Sequence, residues 1–190
     1  MHLVKIKDPQ STKAIAARLE TIKEQLKIDH DDEDLLIQRL IKTAAEKVSN
    51  IIQKPLINTE YDLVLDCFPT GELTLQVCPL VSIASISYYD VNGVLQTFDS
   101  ANYELQGHGL DPCIYLVEGA SWPSTKSGRN RVIIRLTAGH GDKPEDLPEE
   151  IQHAISLLVG HWYENREASN DVDIDDALNA LLDVHQRIVL

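Results

Sequence analysis

Cysteine is scarce. Cys67, Cys78 and Cys113 are the only three in 190 residues, and they are widely spaced. An odd count without paired spacing excludes a disulfide framework and reads as reduced thiols of a cytosolic protein. All three lie in or beside strand patterns, as small core residues do. Long apolar runs are missing too. None approaches the roughly 20 residues of a membrane span, and Met1–Lys7 has no apolar core of the kind a signal peptide needs. Basic residues are outnumbered: 17 Lys and Arg stand against 30 Asp and Glu, a formal net charge of -13. Neutralising phosphates takes a surplus of Lys and Arg, so this balance disfavours a generic nucleic-acid binder. What is left is a soluble protein of ordinary globular composition, 43% hydrophobic and 25% charged. A chain of this length buries about two-thirds of its unfolded surface and folds as one domain without disulfides or metal.

Catalytic patterns are equally sparse. There is no Gly-x-Ser-x-Gly elbow and no Gly-rich phosphate loop. Asp29, Asp31 and Glu33 superficially resemble a calcium loop, but position 34 would need glycine and position 40 glutamate, where the chain has Asp34 and Leu40. A loop starting at Asp171 fails in the same way, with Asp176 and Leu182. Glu150 and His153 have the Glu-x-x-His spacing of carboxylate-bridged metal bundles, yet no second copy exists; His161 and Glu164 run in reverse order. Gly107-His108-Gly109 and Gly139-His140-Gly141 read first as turns. No catalytic residue, cofactor or metal site is therefore expected.

What the sequence does contain is periodicity. After Ser11, a possible N-cap, Ile15, Leu19, Ile22 and Leu26 recur at helical spacing. The acidic run Asp29–Asp34 suits the positive end of a second helix, which carries Ile37, Leu40, Ile41, Ala44, Val48, Ile51 and Ile52 and stops before Pro55. The middle third alternates as strands do: Leu63 and Leu65, then Leu73, Leu75 and Val77, then Val81 to Tyr88 with a parity slip near Ala84-Ser85 that suggests a bulge. Asn92-Gly93 signals a hairpin. Arg131, Ile133 and Arg135 alternate with Val132, Ile134 and Leu136, either as a charged edge strand or as a contact surface. Asp146 and Glu149 resemble a capping box ahead of Ile151, Ala154, Ile155, Leu158, Val159 and Trp162, which share one helix face. Trp162 closes that stripe as a core anchor. A final helix spans about Ile174 to Ile188. The expected class is α+β, mainly α: terminal helices (1–58 and 139–190) forming a small bundle, with an antiparallel β-subdomain (59–138) inserted.

Two interaction surfaces suggest themselves. Lys126, Arg129, Arg131 and Arg135 form the most basic segment and suit an acidic partner, such as the C-terminal region of a neighbouring copy. Residues 139–190 carry 12 acidic against 3 basic side chains. On the last helix, Ile174, Leu178, Leu181 and Ile188 form a stripe, completed by His185 and widened by Ala177, Leu182, Val184 and Val189, broad enough to dock on a partner.

Several stretches recur in a known order: Asp31-Asp32-Glu33-Asp34-Leu35-Leu36-Ile37, Leu65-Asp66-Cys67-Phe68-Pro69, Val81-Ser82-Ile83 to Tyr88-Tyr89-Asp90 and Asn92-Gly93, Trp122-Pro123, Ala138-Gly139-His140-Gly141, and Leu147-Pro148-Glu149-Glu150-Ile151 leading to His161-Trp162-Tyr163-Glu164-Asn165-Arg166-Glu167. Together they resemble the head–tail connector (adaptor, or head-completion) proteins of long-tailed phages and prophages. The resemblance implies a structural, non-enzymatic subunit. About a dozen copies would form a ring beneath the portal protein, extend the DNA channel and meet a stopper or tail-completion protein at the virion neck, with DNA passing through unbound and no membrane involved. A different class, a monomeric or dimeric interaction module, shares the same composition.

Overall fold

The computed structural model describes residues 2–7, 11–107, 112–166 and 172–186. The chain divides into a β unit, Met1–Pro9 with Asn58–Gly139, and a helical unit, Gln10–Ile57 with His140–Leu190.

In the helical unit, four apolar stripes produce four helices. These are α1 (Ser11–Leu26), α2 (Asp34–Ile52), α3 (Glu149–Glu164) and α4 (Val172–Leu182). Leu19 and Ile22 of α1, Ile37, Ile41, Ala44, Val48 and Ile52 of α2, Ile151, Ala154, Ile155, Leu158 and Val159 of α3, and Leu178 and Leu182 of α4 share one core. Gln53 ends α2 in a left-handed conformation, its N–H returning to the Ser49 carbonyl. Glu149 and Glu150 lie in the first turn of α3, where the helix dipole favours negative charge.

Three expectations change here. Asp146 does not cap α3. Its carboxylate accepts the Lys143 N–H at 3.0 Å instead, closing a 3-10 turn (Pro144–Asp146), and Pro148 occupies the N-cap of α3. The last helix ends at Leu182 and passes into a 3-10 turn (Asp183–His185), so Val184 falls off the stripe and is 88% exposed. Residues 2–7 are not part of a helical segment; they form strand β1 (His2–Lys7) of the β unit.

The β unit holds β1, β2 (Thr59–Leu65), β3 (Leu73–Thr74), β4 (Leu80–Tyr89), β5 (Leu95–Phe98), β6 (Tyr103–Gln106), β7 (Cys113–Leu116) and β8 (Val132–Ala138). They form a five-stranded sheet in the order β1-β2-β8-β4-β5 and a three-stranded sheet in the order β3-β7-β6, antiparallel throughout. The parity slip is real, with a register shift between Ile83 and Ser85. The hairpin after β4 turns on Asp90, whose carboxylate accepts the Asn92 and Val94 N–H groups at 2.9 Å each, with Gly93 at φ 82°. Phe68, Phe98 and Trp122 cluster with ring centroids 4.7 to 6.1 Å apart, and the Trp122 indole N–H donates to the Gly71 carbonyl.

The strand expected at a charged edge, β8, instead lies at the centre of the sheet. One face of it, Val132, Ile134, Leu136 and Ala138, is fully buried, and the arginine on the other face finds an acid on the next strand. The thiols also divide: Cys78 and Cys113 are buried, but Cys67 follows β2 and is exposed.

Candidate assembly surfaces

The basic segment is less available than its sequence suggests. Arg135 sits opposite Asp62 in the β2–β8 register. Its Nε and Nη2 donate to the two carboxylate oxygens at 3.0 Å each, a bidentate pair that strengthens the hold of the guanidinium on its proton. Arg131 lies against the Tyr89 ring, 5.8 Å from its centroid, with Nε buried and unpartnered among the described residues. Gly128, at φ 129°, leaves the room this needs, because a Cβ there would fall 2.7 Å from Arg131 Nη2. Lys126 and Arg129 are exposed. The structure therefore engages two of the four cations within the subunit, Arg135 on the exposed face of the sheet and Arg131 against Tyr89, and leaves two on the loop before β8.

The last helix also turns its stripe inward. Leu178 is fully buried, and Ile174 and Leu181 pack partly buried on the same core. Ile188 and Val189 lie outside the described residues. Lys47 Nζ on α2 bonds Asp175 Oδ1 on α4 at 2.6 Å. The same ammonium lies 5.8 Å from the Trp162 ring centroid. Trp162 is partly buried and packs against the shared core, with Lys47 on its ring. His185 Nε2 lies 3.4 Å from Glu150 Oε2, joining the final turn to the start of α3.

Two polar knots were not legible beforehand. Glu33, just ahead of α2, accepts the Tyr163 hydroxyl and, through Oε1, Arg166 Nη2 at 2.7 Å. The Arg166 guanidinium also stacks over the Tyr163 ring at 4.9 Å. The tyrosine hydroxyl first, and the guanidinium second, hold the Glu33 carboxyl below the usual glutamate range. Bonding to Glu33 raises the Tyr163 phenol in turn. Lys23, almost fully buried in α1, is clamped by Asp31 at 2.5 Å and Asp34 at 2.9 Å, and both hydrogen bonds raise its pKa. The acidic run is thus a pair of fasteners. The stretches at 31–37 and 161–166, singled out separately in the sequence, meet at Glu33. Their separation of 130 residues left no local signal.

The histidines do not converge on chemistry. His153 is exposed, and His161 Nδ1 lies 3.4 Å from the Asn165 amide. His140 is half-buried with an unpartnered Nε2 among the described residues; burial first, then Lys54 and His185, lowers its pKa. His108 lies outside the described residues. Among the described residues no group of three or more His, Cys, Asp or Glu could hold a metal ion, and no helix is long and apolar enough to cross a membrane.

Exposed apolar side chains collect elsewhere: Leu3, Val4 and Ile6 along β1, and Val91, Val94 and Leu95 at the β4–β5 hairpin and the start of β5.

This pairing of four helices with antiparallel sheets coincides with a known family. A model of the head completion proteins matches residues 17–175. The chain belongs to the head completion protein family. As a head completion protein it is a structural protein of phage virion assembly. Its fold is that of a chain in the neck of an empty GTA particle computed with C6 symmetry: 22% identity, TM-score 0.82, covering 100% of this chain and 97% of that one. A chain in the neck of a native GTA particle computed with C12 symmetry gives 22% and 0.79, again over 100% and 97%. One in the virion of a native gene transfer agent particle gives 23% and 0.78 over the same shares. No curated protein matches this head completion chain.

Proposed function

We propose that the chain is one subunit of a ring at the head–tail interface, seated beneath the portal protein and above a stopper or tail-completion protein. The ring continues the DNA channel out of the head and performs no catalysis. The observation that carries this reading is the end-to-end likeness to neck chains from particles computed with C6 and C12 symmetry. Physical chemistry supports it. A conduit for moving DNA should not grip phosphates, and a net charge of -13 opposes gripping. Pairing of Arg135 with Asp62 and of Arg131 with the Tyr89 ring leaves these two cations less free to meet phosphates. A closed ring also needs two different, mutually complementary faces on each subunit. Assembly takes place in the host cytoplasm, before the tail joins.

The test is sedimentation with filled, tail-less heads that carry their portal. The purified chain should pellet with them and make them competent to accept tails. Heads that neither retain the chain nor gain tail-joining contradict the proposal.

A further inference from the structure

We infer that the tip of the β4–β5 hairpin, together with the loop before β8, docks on the outward face of α4 of a second copy. This deepens the ring reading above and rests on it. The tip is both apolar and cationic. Val91 is 62% exposed and Val94 54%. The Lys126 N–H donates to the Tyr89 carbonyl at 3.1 Å, and its ammonium lies over the turn, where a Cβ on Gly93 would fall 3.0 Å from Nζ. Lys126 and Arg129 are exposed, and among the described residues neither enters an ion pair. The acids beside them are already engaged. Asp90 accepts the Asn92 and Val94 N–H groups and the Gln96 amide, and Asp66 accepts the Asn130 N–H. Two valines rimmed by two free cations are thus left uncovered, a surface that fits a partner both acidic and apolar.

The chain itself carries that chemistry. Residues 172–186 hold Asp173, Asp175, Asp176 and Asp183 and no Lys or Arg. Leu178 and Leu182 turn one side of α4 into the core. The helical period sets Asp176 and Ala180 on the opposite side, flanked by Ala177, and Asp183 and Val184 follow where the final turn begins. All five are exposed. Lys47 neutralises Asp175, whereas Asp176 and Asp183 enter no ion pair among the described residues. Small Ala177 and Ala180 let a neighbour's valines approach closely between the two carboxylates.

Charge sets the pairing. Tip against tip would oppose Lys126 and Arg129 to their own copies, and α4 against α4 would oppose acid to acid. Tip against α4 sets cations on carboxylates and valines on alanines. Each copy then gives its tip to one neighbour and receives a tip on α4 from the other. That is the head-to-tail contact from which rings are built.

A charge swap tests this, read as the yield of rings on micrographs of the full chain, alone and with the portal protein. Lys126→Glu with Arg129→Glu should lower the yield about tenfold or more, because acids then face acids at the joint. Asp176→Lys with Asp183→Lys should do the same, and all four substitutions in one chain should restore the rings. These positions are exposed, and circular dichroism checks that the fold is kept. A second reading uses a Cys67→Ser background, which removes the exposed thiol. Val94→Cys and Ala180→Cys, made singly and together, are treated with a short bismaleimide crosslinker. The double variant should give a covalent ladder of dimers, trimers and higher multimers, and neither single variant should crosslink. Dimers from either single variant would show a like-to-like joint and overturn the inference. A product that stops at dimers in the double variant would show a reciprocal twofold exchange and overturn it too. Rings that survive both charge reversals, or that form without a ladder, would overturn the joint while the ring reading stands. Monomers from the unmodified chain, alone and with the portal, would overturn both.

Discussion

Glu33 shows how much of this molecule is settled by single side chains that no local pattern announces. Its carboxylate ties the entry of α2 to the last turn of α3 through Tyr163 and Arg166. Because these bonds lower the folded-state pKa of Glu33 below its unfolded value, their stabilisation is present above the usual glutamate range. It is lost as pH falls through the lowered value. The melting temperature of the wild type should therefore fall more steeply on acidification below that range than that of Glu33→Gln; parallel pH profiles would contradict this. Trp162 tests the reading of α3. Leu158 is fully buried, so Leu158→Ala should cost about 2–5 kcal/mol. Trp162→Ala, at a partly buried position beneath Lys47, should cost only about 1–2 kcal/mol. Urea unfolding measures both, and a larger loss at Trp162 than at Leu158 would place the tryptophan back in the core.

Among the elements, those with a sustained period were legible, and those defined by their neighbours were not. The stripes of α1, α2 and α3 predict the observed helices, because a 3.6-residue repeat of apolar side chains has few alternatives to burial. The bulge in β4 and the Asn92-Gly93 turn were legible for the same local reasons. Strand order was not. Arginines alternating along β8 suggest an exposed edge. In the sheet the strand is central because Asp62, 73 residues away, neutralises Arg135 on the outer face. Nothing in the spacing of residues 131–136 encodes that partner. β1 was missed because six residues with two lysines show no clear alternation; its pairing with β2 makes it a strand. The last helix was overextended because Val184 continues an apolar composition, although the chain has already left the helix. That ending separates two roles for the segment. Leu178→Ala should destabilise by about 2–5 kcal/mol, as a core truncation does. Val184→Asp should leave stability within about 0.5 kcal/mol, as exposed substitutions do. Thermal melts that rank them the other way would contradict the packing of α4.

For the whole molecule, charge and form matter more than any one site. The ordered set of motifs identified the family where no individual motif could, and the family model and the fold agree with it. The candidate interfaces were only partly legible, because sequence reports which side chains are charged or apolar but not which are already paired. Arg131, Arg135 and Leu178 are all engaged within the subunit, whereas Lys126, Arg129 and the outward face of α4 remain exposed. With a net charge of -13, the protein should show no measurable affinity for duplex DNA at physiological salt in a mobility-shift titration. Tight, salt-sensitive binding would instead implicate Lys126 and Arg129 as phosphate contacts. The most direct test of the central claim is negative-stain imaging of the purified protein at high concentration, alone and with its portal. The account predicts ring-shaped particles with an open lumen and a rotational symmetry of about twelve. Monomers or twofold dimers under both conditions would contradict it.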